Sequence, residues 1–357
     1  MTINPQIITI ENRRVSGVAK FLLVYGLCHA LVDAASAFLI LAAIDVKGEL
    51  WLAIVLYNLL AFGLQIPFGL LLDKYGQVKL VSIAGLFFLI AAYVFIRTPI
   101  MAIILAGIGN ALFHASGGKI ALSINSRKAI YSGIFVAPGG IGLALGIYLS
   151  LSHVFFNLFI FPFTLLVIIA VIFITKIPEF SIEKPPVQRI NIVILIIVLL
   201  MTSICARSLI GLTIYFPWKT NIYLLVLLTF SIASGKVIGG ILADKLGWIR
   251  TGLSGLLLAA PLLAFGATYP ISGIIGIFAF NFTMPVTLIA LSNVLPGRAG
   301  LSFGIASLAL FFGALPGFTN FINWLKLEWV VFIFILCSGG ILYFGLSYYF
   351  HMKSRIH

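Results

Sequence analysis

Long runs of apolar residues, separated by short groups of charged and turn-forming residues, make up most of the chain. Most runs approach or exceed the ~20 residues that a helix needs to cross a bilayer. The pattern predicts twelve membrane-spanning helices, numbered here as spans 1 to 12, with a turn before Pro99 and before Pro270 because proline disfavours helix in the preceding residue. The predicted ranges are 15–44, 51–72, 80–97, 99–123, 130–152, 154–175, 190–217, 220–243, 251–268, 271–295, 299–322 and 328–350.

The composition agrees with a lipid bilayer as the surroundings of the whole chain. Of the 357 residues, 62% are hydrophobic and 9% are charged, and the mean hydropathy is +1.20. One soluble core could not bury so much apolar surface. The run from Val15 to Ile44 is too long for a cleaved secretory signal, so we interpret it as a retained first span.

The net charge of +13 lies mostly in the short connections and is a topology signal, so no nucleic-acid partner is expected. One side of the predicted bundle carries most of the loop Lys and Arg residues. The other side carries only Lys47, Arg97, Lys219 and Lys326. The positive-inside rule makes the richer side cytoplasmic, places both termini there, and predicts a multi-pass protein of the inner or plasma membrane.

The sequence offers no pattern for a cofactor, a metal or an enzymatic reaction. Cys28, Cys205 and Cys337 lie in apolar runs without ligand-like spacing, so neither a disulfide framework nor a metal site is predicted. No phosphate-binding Gly-rich loop follows a strand, and no nucleophile–base set stands outside the membrane. We therefore expect no cofactor, no ATP-driven mechanism and no enzyme.

A repeat divides the chain. The segment from Gly69 to Lys79 returns, nearly copied, from Gly240 to Arg250, at an offset of 171 positions. Further pairs keep that offset without a gap: Asn110 with Asn281, and Gly133, Gly142 and Gly146 with Gly304, Gly313 and Gly317. The repeat predicts two six-helix bundles of the same direction, residues 1–177 and 190–357, joined by a hydrophilic linker at 178–189.

The repeated segment has its own physical interpretation. Its glycines allow a neighbouring helix to approach closely, and its aspartates can meet helix N-termini or basic residues. The pattern G-x-x-x-D-[RK]-x-G-x-x-[RK] resembles the cytoplasmic signature of the major facilitator superfamily. That resemblance implies two bundles around a cavity that opens alternately to either side, and it implies a gating motif of Gly69, Asp73, Gly76, Gly240, Asp244 and Gly247.

Two further segments resemble parts of that superfamily. Span 5 carries Gly133, Pro138 and Gly142 in a segment similar to the antiporter motif, which implies an exporter, although Ala137 and Ile141 depart from it. Ordinary packing of small residues explains the segment equally well. In span 4, the stretch from Gly107 to Gly118 resembles fosmidomycin-resistance-type facilitators, from which only the role of His114 is carried over.

Asp33 is the one acidic residue placed well inside a predicted span, where a charge costs about 2.5–3.5 kcal/mol. Under the repeat it corresponds to Ile204, so Arg207 is expected at a similar depth in span 7 and an Asp33–Arg207 ion pair is predicted. That pair either locks the halves together or couples proton binding to substrate binding. His29, one helical turn before Asp33, is positioned to share the proton.

The remaining polar residues of the spans indicate a binding site. Asn110 and His114 share a helical face, and Asn281 matches Asn110 in the second half, although interhelical hydrogen bonding is an alternative role for the asparagines. Lys236, like Lys119 and Arg207, either lines the cavity or extends to the interface. If these cations face the cavity, the pathway is net positive and the substrate is anionic.

The sequence therefore predicts a monomeric secondary transporter for a small organic solute, which is anionic if the basic side chains face the cavity. Proton-coupled export is the first hypothesis. Proton-coupled uptake, and a non-transporting receptor or assembly protein on the same scaffold, are the alternatives.

Overall fold

A computed structural model describes residues 5–45, 48–152, 158–178, 190–318 and 327–354, with side chains from Ser16 onward. Within these ranges the chain forms twelve spans and no strand. Nine of the spans are long and apolar enough to cross a membrane, and spans 3, 6 and 9 are shorter apolar helices. The protein is therefore a multi-pass membrane protein, as its hydropathy predicts.

The spans have the following bounds, with two of them in two pieces: Pro5–Phe38 continued by a π-helical turn at Leu39–Ala43, Leu50–Gly63 with Gln65–Tyr75, Val78–Val94, Pro99–Ser123, Ile130–Leu151, Ile160–Ile174, Ile190–Thr213, Ile222–Leu246, Trp248–Ala264, Pro270–Phe280 with Thr283–Val294, Ala299–Ala314, and Glu328–Ser354. Short 3₁₀ turns at Pro217–Thr220 and Leu315–Phe318 follow spans 7 and 11. Spans 4 and 10 begin at Pro99 and Pro270, which confirms both predicted turns. Residues 179–189 of the predicted linker lie outside the described residues.

Spans 2 and 10 are interrupted near their middles, which the sequence interpretation did not predict. The first piece of span 2 ends at Gly63, four residues before Pro67, and span 10 breaks at Asn281, four residues before Pro285. A proline lacks the N–H that would bond to the carbonyl four residues earlier, and its ring crowds that carbonyl. Both interruptions therefore have a local cause in the sequence.

The spans pack mainly within two sequential sets. Span 1 packs on span 5, span 3 on span 4, and span 2 on span 4, while span 7 packs on spans 11 and 12 and span 9 packs on spans 10 and 12. The two sets meet chiefly where span 5 packs on span 8 and where span 2 packs on span 11. Since spans 2 and 5 correspond to spans 8 and 11 under the repeat, these two contacts are equivalent to each other.

Candidate functional site

The first copy of the repeated motif joins span 2 to the start of span 11. Asp73 accepts hydrogen bonds from the backbone N–H groups of Gly300 and Leu301, both at 2.9 Å. These are orphan donors of the first helical turn, where the helix dipole also favours a negative charge. Gly69 lies against the backbone of Gly300, so that a methyl group on either glycine would overlap the other chain.

The second copy makes an equivalent connection, in which the aspartate lies in the second half and the helix N-terminus lies in the first half. Asp244, at the end of span 8, accepts hydrogen bonds from the backbone N–H groups of Ala129 at 2.6 Å and Ile130 at 3.3 Å, where span 5 begins. Gly240 packs against the backbone of Ile130. The donors Ala129 and Ile130 lie 171 positions before Gly300 and Leu301, so the two connections are related by the repeat and by the packing of the halves.

The same relation continues one turn deeper. Gly133 of span 5 packs on the backbone carbonyl of Lys236, and Gly304 of span 11 packs on that of Gln65. Gly76 and Gly247, which follow the aspartates, adopt positive φ values of 70° and 93° that favour glycine at these tight turns. We call this end of the molecule, defined by Asp73 and Asp244 and their helix N-termini, the motif end.

Lys119, which the sequence placed either in the cavity or at the interface, is instead paired with an aspartate of the repeated motif. Its ammonium group lies 2.7 Å from Oδ1 of Asp73, and the side chains of Lys119 and Asp73 are only 10% and 7% exposed. Lys119 therefore neutralises the carboxylate of the first motif copy. The pairing depends on how span 4 lies beside span 2, which linear spacing does not reveal.

A second polar cluster, the span 1–span 4 cluster, consists of His29, Asp33, Asn110 and His114. Oδ2 of Asp33 lies 3.3 Å from Nε2 of His29, and Oδ1 lies 3.4 Å from Nε2 of His114. The amide of Asn110 donates to Oδ1 of Asp33 at 3.3 Å. Nε2 of His29 and Nε2 of His114 are 2.8 Å apart. Both histidines are buried, so this is a compact ionisable group inside the first half.

The two histidines are oriented by backbone carbonyls. Nδ1 of His29 lies 2.8 Å from the carbonyl oxygen of Phe135 in span 5, and Nδ1 of His114 lies 2.9 Å from that of Asn110. Span 5 can approach because Gly139 has no side chain: a Cβ there would meet the His29 ring and Asp33. The span 5 motif therefore helps to build the cluster, with Gly142 packed on the backbone of Ala30.

The predicted ion pair between Asp33 and Arg207 is wrong. Among the described residues, the charged partners of Asp33 within 4.0 Å are His29 and His114 of its own half. Nε of Arg207 is buried and has no hydrogen-bond partner in the described part of the chain. The repeat predicted depth only, whereas pairing also requires the two side chains to face each other, and Asp33 faces spans 4 and 5.

The packing also corrects the register between spans 1 and 7. Gly142 packs on Ala30 in the first half, and its counterpart Gly313 packs on Cys205 in the second half, so the two contacted residues are 175 positions apart. The offset of 171 positions, which holds from span 2 to span 5, therefore shifts by about one helical turn in spans 1 and 7. Asp33 then corresponds to Ser208 rather than to Ile204.

Lys236 connects the halves near the middle of the bundle. It is 8% exposed, and its ammonium group donates a hydrogen bond to the carbonyl oxygen of Val136 at 3.1 Å. Arg207 and Asp33 act on it electrostatically. Gly140 lies beside the ammonium group and leaves room for it. Lys236 thus faces the interior of the bundle and does not extend to an interface.

Asn281 does not join the other site residues. It caps the first piece of span 10, its amide donates to the carbonyl oxygen of Ile277 at 2.8 Å, and its Cβ lies close to the position of Gly235. The structure therefore favours the packing role at the helix interruption that Pro285 causes. Pro138, in span 5, packs beside Gly26 of span 1.

Linear spacing did not indicate the grouping of His29, Asp33 and His114, whose potential ligand atoms all lie within 4.8 Å of one another. Such a group could hold a metal ion. The distance of 2.8 Å between the two Nε2 atoms is short for that purpose, because two nitrogens on one tetrahedral zinc ion stand about 3.3 Å apart. The same distance is ordinary for a hydrogen bond.

No protein-family model matches the chain, and no curated protein matches it by sequence. Solved structures do match. The Escherichia coli fucose:proton symporter FucP is similar with a TM-score of 0.71 and 14% identity over 94% of this chain and 99% of that one. The human organic anion transporter MFSD10 matches with a TM-score of 0.68 and 13% identity over 91% and 99% of the chains.

A bacterial homologue of the iron transporter ferroportin, in an outward-facing state, matches with a TM-score of 0.60 and 15% identity over 95% and 99% of the chains. These similarities establish that the chain has the major facilitator fold, as the motifs predicted. The matched structures are those of two transporters and of a homologue of a transporter.

Proposed function

We propose that this protein is a secondary active transporter that moves a small organic anion by alternating access, coupled to protons. The observation that carries the proposal is the pair of equivalent connections at the motif end, where Asp73 binds the start of span 11 and Asp244 binds the start of span 5. Each connection joins the two halves through a few hydrogen bonds. Such bonds can break and form again as two bundles rock about a central site.

The proposed cycle begins from the arrangement described here. Contacts between the halves are concentrated at the motif end, where the amide of Asn293 also donates to the carbonyl oxygen of Ser126 at 2.6 Å. We infer that the halves, residues 1–177 and 190–357, are closed at this end and open towards the opposite end. By the positive-inside rule the motif end is cytoplasmic, which makes this the outward-facing state of a cell-membrane protein with both termini inside.

Arg207 and Lys236 support an anionic substrate. Both are basic side chains inside the second half, and within the described ranges Nε of Arg207 is buried without an acceptor. A buried donor without a partner costs free energy, so a carboxylate or phosphate that enters the site gains by supplying the missing acceptor. One neighbour of the same fold is an organic anion transporter, which is consistent with this substrate class.

The span 1–span 4 cluster supports coupling to protons. Asp33 and His29, together with Asn110 and His114, form an ionisable group inside the half opposite Arg207. A neighbour of the same fold is a proton symporter. We propose export as the direction because span 5 resembles the antiporter motif, with uptake as the alternative. We also propose that a single copy of the chain is sufficient.

Transport by purified protein in liposomes tests this function. With an imposed pH gradient, we expect uptake of labelled organic anions and no uptake of organic cations of matched size. Reversing the gradient distinguishes export from uptake. Binding without any flux would support a receptor or assembly protein on this scaffold and would contradict the proposal.

The variant Arg207→Gln tests the anion site. It removes a charge-assisted hydrogen bond worth roughly 1.5–3 kcal/mol, so apparent affinity should fall about tenfold to a hundredfold. The control is Lys219→Gln, because Lys219 is exposed in the connection between spans 7 and 8 and should leave affinity unchanged. Equal affinity in wild-type protein and Arg207→Gln would exclude Arg207 from the site.

A further inference from the structure

The hydrogen-bond geometry of the span 1–span 4 cluster requires more N–H donors than two neutral histidines can supply. Nδ1 of His29 and Nδ1 of His114 each lie at hydrogen-bond distance from a backbone carbonyl oxygen. A carbonyl only accepts, so each Nδ1 must carry the hydrogen. A neutral imidazole has a single N–H, and so each Nε2 would then hold a lone pair.

These two Nε2 atoms face each other at 2.8 Å, which is a hydrogen-bond distance. Two lone pairs cannot form a hydrogen bond, and at this separation they repel each other. One additional proton resolves the conflict, because Nε2–H of one ring then donates to Nε2 of the other. The pair becomes one imidazolium and one imidazole with a single positive charge.

Asp33 is placed to balance that charge. Its two carboxylate oxygens lie 3.3 Å and 3.4 Å from the two Nε2 atoms, nearly symmetric about the contact between the rings. Asn110 donates to Oδ1, which also favours the ionised carboxylate. The cluster is then neutral overall, which explains how Asp33 can lie inside the bundle without Arg207 as a partner.

We propose that the coupled proton is held between Nε2 of His29 and Nε2 of His114, with Asp33 remaining ionised as its counter-charge. This inference rests on the proposed function and refines it: the site takes one proton, and His114 is as essential to it as His29. The sequence had assigned the proton to Asp33, with His29 only sharing it.

Ionisable groups from three spans surround the Asp33 carboxylate beside the pair. Span 1 contributes the Cys28 thiol, span 2 contributes the Tyr57 hydroxyl and span 8 contributes the Lys236 ammonium group, and each interacts electrostatically with Asp33. Span 5 contributes the carbonyl oxygen of Phe135. Among these groups the Asp33 carboxylate is the nearest charge, and it stabilises the shared proton.

The pair also has a direct route to the anion site. His29 contacts the carbonyl of Phe135, and the next carbonyl of span 5, that of Val136, accepts the hydrogen bond from Lys236. Loss of the proton would restore lone-pair repulsion and move His29 away from His114. That displacement would change the contact of His29 with span 5, at the helical turn whose Val136 carbonyl accepts the hydrogen bond from Lys236.

Nitrogen NMR of the full chain, ¹⁵N-labelled at histidine and held in liposomes at pH 7.5, tests the proton position without requiring transport. We expect one hydrogen-bonded imidazolium–imidazole pair, absent in both His29→Gln and His114→Gln and retained in the control His351→Gln. Two neutral imidazoles in the wild-type protein, together with a protonated Asp33 carboxyl in ¹³C spectra, would overturn the proposal.

Zinc titration supplies a second discriminating measurement. If the site is built for a proton, zinc at micromolar concentration should bind no more tightly to the wild-type protein than to His114→Gln. Stoichiometric zinc binding that His114→Gln abolishes would identify a metal site instead and would overturn the proposal.

Flux measurements complete the test. Wild-type proton-coupled flux should change about tenfold per pH unit where the pair titrates, whereas His114→Gln should lose this dependence and keep anion exchange. A pH dependence unchanged in His114→Gln would overturn the inference. Absence of flux in every variant would contradict the proposed function alone, because the NMR result stands independently of transport.

Discussion

The two copies of the repeated motif share a backbone arrangement and differ in charge. Asp73 accepts two backbone N–H groups and also pairs with Lys119, and the side chains of this pair are only 7% and 10% exposed. Asp244 accepts two backbone N–H groups and is half-buried, and Ala290 stands where the repeat would place a lysine. Among the described residues no lysine lies within 4.0 Å of its carboxylate, although Lys128 acts on it electrostatically from further away. The comparison indicates that a helix N-terminus can hold the carboxylate without a lysine in direct contact, and that Lys119 adds a close charge pair to the first connection.

The largest effect is expected from Asp73→Asn. This change leaves the buried ammonium group of Lys119 without a carboxylate, and removing one partner of a buried pair costs about 3–5 kcal/mol. Thermal unfolding in detergent should therefore show a marked loss of stability. Spin labels across spans 2 and 11 should show a larger open fraction at the motif end, with substrate affinity little changed.

The double variant Asp73→Asn with Lys119→Met is the control for that result. Removing both charges should recover most of the lost stability, since no unpaired ion remains. A single variant as stable as the wild-type protein, or a double variant that recovers nothing, would show that the pair does not stabilise the motif end.

An intermediate effect is expected from Lys119→Met alone. Asp73 keeps its two backbone donors and loses one charge-assisted hydrogen bond, worth roughly 1.5–3 kcal/mol. The first connection should then behave like the second, which unfolding measurements can check by comparison with Asp244→Asn. If Lys119→Met destabilised the protein as much as Asp73→Asn does, the backbone donors would contribute nothing.

The smallest effect is expected from Asp244→Asn. The asparagine oxygen can still accept from Ala129 or Ile130, so the loss is mainly the interaction of charge with the helix dipole, about 0.3–1 kcal/mol. The same unfolding assay should detect a small shift. A loss equal to that of Asp73→Asn would mean that the two connections are energetically equivalent despite the missing lysine.

Local features of the sequence predicted much of the fold. The turns before Pro99 and Pro270 were predicted because proline acts on its immediate neighbours. Pro67 and Pro285 lie four residues after the interruptions in spans 2 and 10 and explain them locally. The four-residue rule alone would not have found these breaks selectively, because Pro138 and Pro261 lie inside continuous helices of spans 5 and 9.

The site was less predictable. His29 and Asp33 could be grouped because they are one turn apart, and so could Asn110 and His114. That these two pairs meet depends on how span 4 lies against span 1. Asp33 shows the limit of the repeat, which predicted a partner at the right depth in span 7 although the side chain faces spans 4 and 5.

The sequence by itself determined the membrane-spanning helices, the repeat and the two motif copies, because hydropathy, proline chemistry and internal similarity are local or periodic properties. Only the tertiary structure decided which charges are paired: Asp73 with Lys119, and Asp33 with two histidines. The physical reason is that a buried charge is stabilised within a few ångströms. Helix rotation and packing set those distances, and the order of residues along the chain does not encode them in a directly readable form.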